Sequence, residues 1–132
     1  MRVYLDAAPV IYTVEQVPLY AAAVDTQLSA HGVVRVASDL TRMECRVKPL
    51  RGGNADLLQD FNDYFEGAVA EILALSREVI DRATEIRAQY GFKTPDAIHL
   101  AAAVASGCDV FLTNDHRLDR FTDITIEVVQ PV

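Results

Sequence analysis

"TPDAIHLAAAVASGCDVFLTND", residues 94–115, decides the architecture of this chain. It reads as a helix, a glycine stop and a fully apolar strand that runs into an acid. Thr94 is a capping residue and Pro95 suits the first helical position, so a helix is predicted from Thr94 to Ser106, ended by Gly107. "DVFLT" (109–113) is apolar without alternation, as a strand covered on both faces requires. A helix that feeds such a strand is the repeating unit of a parallel sheet. Asp96 lies in the first turn of that helix and Asp115 lies two residues beyond the strand. An acid in a first helical turn has an ordinary explanation, the complement of free N–H groups and helix dipole. A chemical role for Asp96 therefore requires other carboxylates at the same place.

The rest of the chain repeats the unit. "RVYLD" (2–6) is a short strand ending in Asp6, followed by a helix over Pro9–Glu15 and a second over Pro18–Ala30. "VVRVA" (33–37) is the next strand. Ser38 caps a helix that should end near Lys48, because the residue before Pro49 avoids helical geometry. Asn54 caps a helix carrying Phe61, Tyr64 and Phe65, and "AEILAL" (70–75) is a short strand. A helix from Ser76 is closed by Gly91, and "ITIEVV" (124–129) alternates as an edge or last strand should. Strands separated by helices imply an α/β sandwich with a mainly parallel sheet, and 132 residues suit a single domain over 1–132.

Composition narrows the function. The net charge of −7 argues against a protein that holds nucleic acid by a broad basic surface, although Arg42, Arg46, Lys48 and Arg51 form one local basic stretch. No apolar run is long enough to span a membrane, and Asp6 interrupts the N-terminus too early for a signal peptide. Two cysteines, Cys45 and Cys108, make no disulfide framework, so the expected compartment is the cytoplasm.

In a parallel α/β sheet, ligands bind beyond the carboxyl ends of the strands. Asp6 and Asp115 follow strands, and Asp96 and Glu44 open or enter helices that start at that same edge. On the helix after Ser38, Glu44 shares a face with Thr41, Val47 and Lys48, while Arg42 and Arg46 lie about 200° away. Four such carboxylates, expected to line one cleft, repel one another and should have raised pKa values unless cations bridge them. Hard divalent ions, Mg²⁺ or Mn²⁺, meet that need and suit phosphodiester cleavage. A Gly-rich phosphate loop is absent, and "DAAPV" lacks the second acid or Thr of a phosphoreceiver site.

The ordered acids with "VYLDAAPVIY", "DLTRMECRVKPLR" and "GFKTPDAIHLAAAVASGCDVFLTND" resemble the PIN-domain nuclease family, and more closely its VapC-type toxins. The resemblance covers nearly the whole chain. It implies a three-layer α/β/α sandwich and Mg²⁺- or Mn²⁺-dependent cleavage of RNA at Asp6, Glu44, Asp96 and Asp115. It also implies a VapB-like antitoxin and a homodimer. Thr113 and Asn114 are candidates to orient Asp115, Asp119 is an outer carboxylate or a solvated one, and Arg46 and Lys93 are candidates for RNA phosphate. His99, one turn from Asp96, is a candidate to support a metal ligand from behind, but is read first as a structural or partly exposed histidine, since nothing in the sequence supplies ligand geometry around it. Where many family members carry Thr or Ser then Asn after the first Asp, this chain has Ala7 and Ala8, which removes hydrogen bonds around the site. The alternative to a toxin ribonuclease is thus a catalytically impaired PIN-fold interaction module with a structural cation site.

Overall fold

The computed structural model describes residues 1–132. Five strands, β1 (Arg2–Leu5), β2 (Val34–Ser38), β3 (Glu71–Leu73), β4 (Val110–Thr113) and β5 (Thr125–Val128), form one sheet in the order β3-β2-β1-β4-β5. Every pairing is parallel, with Tyr4 opposite Val36 on one side and Phe111 on the other. Helices α1 (Ala7–Val14), α2 (Tyr20–Leu28), α3 (Asp39–Arg51), α4 (Ala55–Gly67), α5 (Arg77–Tyr90) and α6 (Thr94–Ala105) make the connections.

The strands separate two cores by simple alternation. Val3 and Leu5, Ala37, and Val110 and Leu112 face one way and pack with Val10, Val24, Cys45, Phe61 and Phe65 of α1–α4. Tyr4, Val36 and Phe111 face the other way, against Val79, Ala83 and Ile86 of α5 and Leu100 and Ala101 of α6. The result is three layers, helices on each side of a sheet. Phe61 and Phe65 are buried core residues, while the hydroxyl of Tyr64 accepts from Arg35 at 3.3 Å. No helix is long and apolar enough to cross a membrane. Both cysteines are free thiols.

At three element ends the departure from the sequence reading has a local reason. Helix α1 starts at Ala7, not Pro9, because the Asp6 carboxylate accepts the Ala7 N–H at 2.8 Å and caps it. Helix α3 continues through Pro49 to Arg51. Pro49 lies in its last turn, where its missing N–H forfeits a single ladder bond and its buried ring packs instead. Thr94 is the first residue of α6, not its cap; that place belongs to Lys93, whose side chain makes no capping bond. Other element ends move by no more than two residues, as in α2, read as Pro18–Ala30 and found at Tyr20–Leu28. Ser38, Asn54 and Ser76 cap α3, α4 and α5, and Gly91 closes α5 at φ 74°, a left-handed geometry suited to glycine.

The strand order fixes where a site can form. From β1 the chain winds outward through β2 and β3, then crosses to β4 on the opposite side of β1. Between β1 and β4 the connections leave in opposite directions, which opens a crevice at the carboxyl edge.

Candidate functional site

Asp6 stands at that point. Its N–H donates to the Leu112 carbonyl at 3.0 Å, so the ladder between β1 and β4 fixes its backbone. Its carboxylate caps α1 through Oδ1 and accepts the Thr113 hydroxyl at 2.8 Å through Oδ2. Each oxygen retains a lone pair for something else. Thr113 is buried at the end of β4, and its Oγ1 also accepts the Asp115 N–H at 3.1 Å. It therefore ties two acids together. Asn114 does not orient Asp115; its amide donates to the Tyr12 hydroxyl at 3.0 Å.

Glu44 reaches the site from the second turn of α3, on the face predicted for it. There it meets His99, which is 1% exposed, with Nε2 only 2.5 Å from Glu44 Oε1 and 3.5 Å from Asp6 Oδ1. Of the two readings of His99, the structural one holds and the partly exposed one does not. The partner it needed comes from a helix far away in sequence. On its other side, Nδ1 is 2.7 Å from the hydroxyl of buried Tyr4, which donates to Ser38 Oγ at 2.7 Å. Ser38 and Thr41 form a capping box at the start of α3, and the Thr41 hydroxyl donates to the Leu5 carbonyl at 3.1 Å. Burial pushes the pKa of His99 down. The hydrogen bond to Glu44 and the charges of Asp6, Glu44 and Asp96 outweigh that and hold it above the ordinary value.

Tyr4 is the residue that sequence reading passed over, and His99 the one whose partners it did not find. One signal was available: a histidine inside "AIHLAAA" on a buried helical face must find polar partners. Burial pushes the Tyr4 phenol well above its usual pKa, so it remains a neutral hydroxyl.

Asp96, in the first turn of α6, is half-buried. Its burial, and then the charges of Asp6 and Asp115, raise its pKa above the usual carboxylate range. Asp115 goes the other way, contrary to the expectation for crowded acids. It caps a short 3-10 helix, His116–Arg120, and receives Arg117 in a two-pronged ion pair at 2.7 Å. The Arg117 hydrogen bonds lower its pKa. Asp119, Lys93, His31 and His116 are exposed. In the basic stretch, Lys48 is spent on Glu15 at 2.9 Å and Arg42 faces Asp39 at 3.6 Å, while Arg46 bonds only the Arg42 carbonyl through Nε. The main surface cavities are lined by other residues, such as Asp39, Arg42 and Asn62, so the expected cleft is not one of them.

The donor set can hold a divalent ion. One ligand atom each from Asp6, Glu44 and His99 lies within 4.8 Å of the others. Atoms bound at about 2.1 Å to a shared ion stand roughly 3–4.2 Å apart, so small side-chain movements suffice.

The fold that carries these residues has counterparts among known proteins. The sequence model of the PIN domain matches residues 3–124. VapBC2 from Rickettsia felis, solved bound to a DNA fragment from its promoter, superposes with a TM-score of 0.80 at 17% identity, over 98% of this chain and 100% of that one. A toxin–antitoxin complex from Klebsiella pneumoniae gives 0.74 at 18%, over 98% and 99%. VapC20 from Mycobacterium tuberculosis, a Sarcin-Ricin loop cleaving toxin, gives 0.73 at 11%, over 93% and 98%. A search of curated proteins returned no match.

Proposed function

The chain belongs to the PIN-domain family, and from that premise we propose that it is a Mg²⁺- or Mn²⁺-dependent endoribonuclease, the toxin of a VapBC-type pair. The observation that carries this reading is the meeting of Asp6, Glu44 and His99 within 4.8 Å at the crevice between β1 and β4. Asp96 and Asp115 complete the acidic edge: burial first, and then the charges of Asp6 and Asp115, raise the pKa of Asp96. A divalent ion there supplies Lewis acidity to a phosphodiester and activation of water.

The chain's own residues do the rest. Thr113 fixes the rotamer of Asp6, Glu44 is steadied by His99, and Asp96 and Asp115 add charge that favours a cation over a proton. Arg46 and Lys93 meet RNA phosphates beside the site. RNA as substrate agrees with the loop-cleaving activity of the mycobacterial structural relative. A VapB-like antitoxin agrees with the relatives solved as toxin–antitoxin complexes. The outer face of α3 exposes Met43 (55%), Val47 and Leu50 (63%), apolar surface suited to the antitoxin or to a second copy in a homodimer. Such a pair works in the cytoplasm, as one PIN-like domain over residues 1–132.

The test is cleavage of a structured RNA with Mg²⁺ or Mn²⁺, stopped by EDTA. Asp96→Asn keeps the side chain's size and loses the charge that holds the ion. Its rate should fall by more than about a hundredfold, beyond what a residue outside the coordination sphere contributes. An Asn variant that cuts as fast as wild type refutes the assignment. A wild type that binds the ion without cutting points to the impaired interaction module that Ala7 and Ala8 suggest.

A further inference from the structure

The buried half of the site holds a hydrogen count that carboxylates alone do not balance. The Tyr4 hydroxyl has one proton, and the geometry directs it to Ser38 Oγ at 2.7 Å. Toward His99 the Tyr4 oxygen is then an acceptor, so Nδ1, 2.7 Å away, is the ring nitrogen that carries hydrogen. A neutral imidazole has a single N–H. In the neutral ring Nε2 then presents a lone pair to Glu44 at 2.5 Å and Asp6 at 3.5 Å, and these three atoms meet only with positive charge among them, either a second proton on the ring or a metal ion in its place.

We propose that His99 gives its Nε2 to the cation of this site, so that an imidazole joins the carboxylates that hold the ion and the site prefers Mn²⁺, Co²⁺ or Zn²⁺ to Mg²⁺. The inference rests on the metal-dependent reading above and assigns a ligand outside its four acids. Imidazole suits Mn²⁺ less than Co²⁺ or Zn²⁺ but suits all three better than Mg²⁺, which favours oxygen and keeps its waters. A metal-ligating histidine normally donates its far N–H to a fixed oxygen, which sets tautomer and ring plane. Tyr4 is that oxygen. It is fully buried, stacked on Phe111 at 5.2 Å between ring centres, and anchored to Ser38, which itself accepts from the Leu40 and Thr41 backbone. On insertion of an ion the Glu44–His99 contact opens by about half an ångström, to the spacing of adjacent ligands. The Glu44 side chain, 30% exposed at the helix surface, has room to do so.

The reversed chain of hydrogen bonds, with Nε2–H donating to Glu44, would make His99 a positioning residue instead. Pulsed electron paramagnetic resonance of the Mn²⁺-loaded full chain separates the two. The wild type should show the coupling of a directly bound nitrogen, and His99→Gln, which keeps a hydrogen-bonding amide near Glu44 but no imidazole, should not. In competition titrations of the same proteins, the preference for Mn²⁺ over Mg²⁺ should fall by at least about tenfold in His99→Gln. An all-oxygen wild-type spectrum overturns the proposal. So does an equal loss of both ions in His99→Gln, the mark of a positioning role. Circular dichroism in EDTA checks that the variant folds; if it does not, the wild-type spectrum decides alone. RNA cleavage is read separately. A wild type with bound nitrogen and no cleavage refutes the nuclease reading only, and cleavage with oxygen-only coordination refutes this ligand only.

Discussion

Glu44 with His99 and Asp115 with Arg117 are two carboxylate–base pairs at one edge of one sheet, and they are built differently. The first base is a buried imidazole held from behind by Tyr4, Ser38 and the start of α3. The second is an exposed guanidinium two residues from its acid, held by nothing else. An imidazole can release its proton and offer a lone pair, whereas arginine keeps its charge at any ordinary pH. Anchoring differs as well. Moving His99 leaves buried polar atoms without partners, but Arg117 can swing into water at little cost. The buried pair is thus a fixed donor set and the exposed pair a removable counter-ion, although both are short carboxylate–nitrogen contacts.

The largest consequence concerns ion binding. Divalent metal that binds only the folded chain adds about 2.7 kcal/mol at a hundredfold excess over Kd. For a domain this size that raises Tm by roughly 8–13 °C. Asp6→Asn should lose most of the rise, and thermal melts with and without Mn²⁺ measure it. An unchanged wild-type Tm at millimolar Mn²⁺ or Mg²⁺ would leave the buried pair without the role that separates it from the exposed one.

Next in size is the anchor. Tyr4→Phe keeps the ring and removes the hydroxyl shared by Ser38 and His99, which should cost about 2 kcal/mol. Tm without metal should drop by roughly 6–10 °C, whereas Arg117→Ala should scarcely move it. Equal effects would erase the difference in anchoring.

The pH dependence sharpens the contrast between Asp96 and Asp115. The folded pKa of Asp115 lies below its unfolded value, so its contribution is present above the ordinary carboxylate range and is lost as pH falls through the folded pKa. The folded pKa of Asp96 lies above the unfolded one, so its charged form opposes folding at neutral pH, and the penalty disappears as pH falls through the raised value. Without metal, Asp96→Asn should therefore stabilise the chain at pH 7 and give no gain below the ordinary carboxylate range. Asp115→Asn should destabilise at pH 7 and be neutral at the acid end. Denaturant titrations across pH 2–7, a range set by the reference carboxylate values, read both signs, and like signs would contradict the assigned pairings.

The smallest effect is at Arg117. Removing a cation beside Asp115 and Asp96 should tighten divalent-ion binding in Arg117→Ala by up to about fivefold, the ceiling for an exposed ion pair. Calorimetric titration measures it. Weaker binding would make Arg117 part of the site's support and not a competitor of the ion.

Much of this was legible along the chain. Apolar runs broken by caps and glycines predict strands alternating with helices, because burial leaves a period of two or about 3.6 in the residues themselves. The parallel sheet, the caps Ser38, Asn54 and Ser76, and the stop at Gly91 all follow from such local signals. The edge expected for Asp6, Glu44, Asp96 and Asp115 follows too, since in a parallel sheet the residues after a strand, the early turns of the helix that leaves it and the start of a helix that returns to the next strand share an edge. What periodicity does not encode is which side chains meet across the fold. Only the strand order β3-β2-β1-β4-β5 sets β4 beside β1 and lets Thr113 reach Asp6, 107 residues away. Only the packing of α6 against α3 brings His99 to Glu44 across 55 residues, and only the sheet turns Tyr4 toward His99 across 95. A histidine in an alanine-rich helix shows that it is buried, but its protons are assigned by neighbours that the chain's local pattern does not name. Asp115 illustrates the same limit at short range: its partner is two residues away, yet the turn that folds Arg117 back onto it, not the spacing, converts a crowded acid into a paired one.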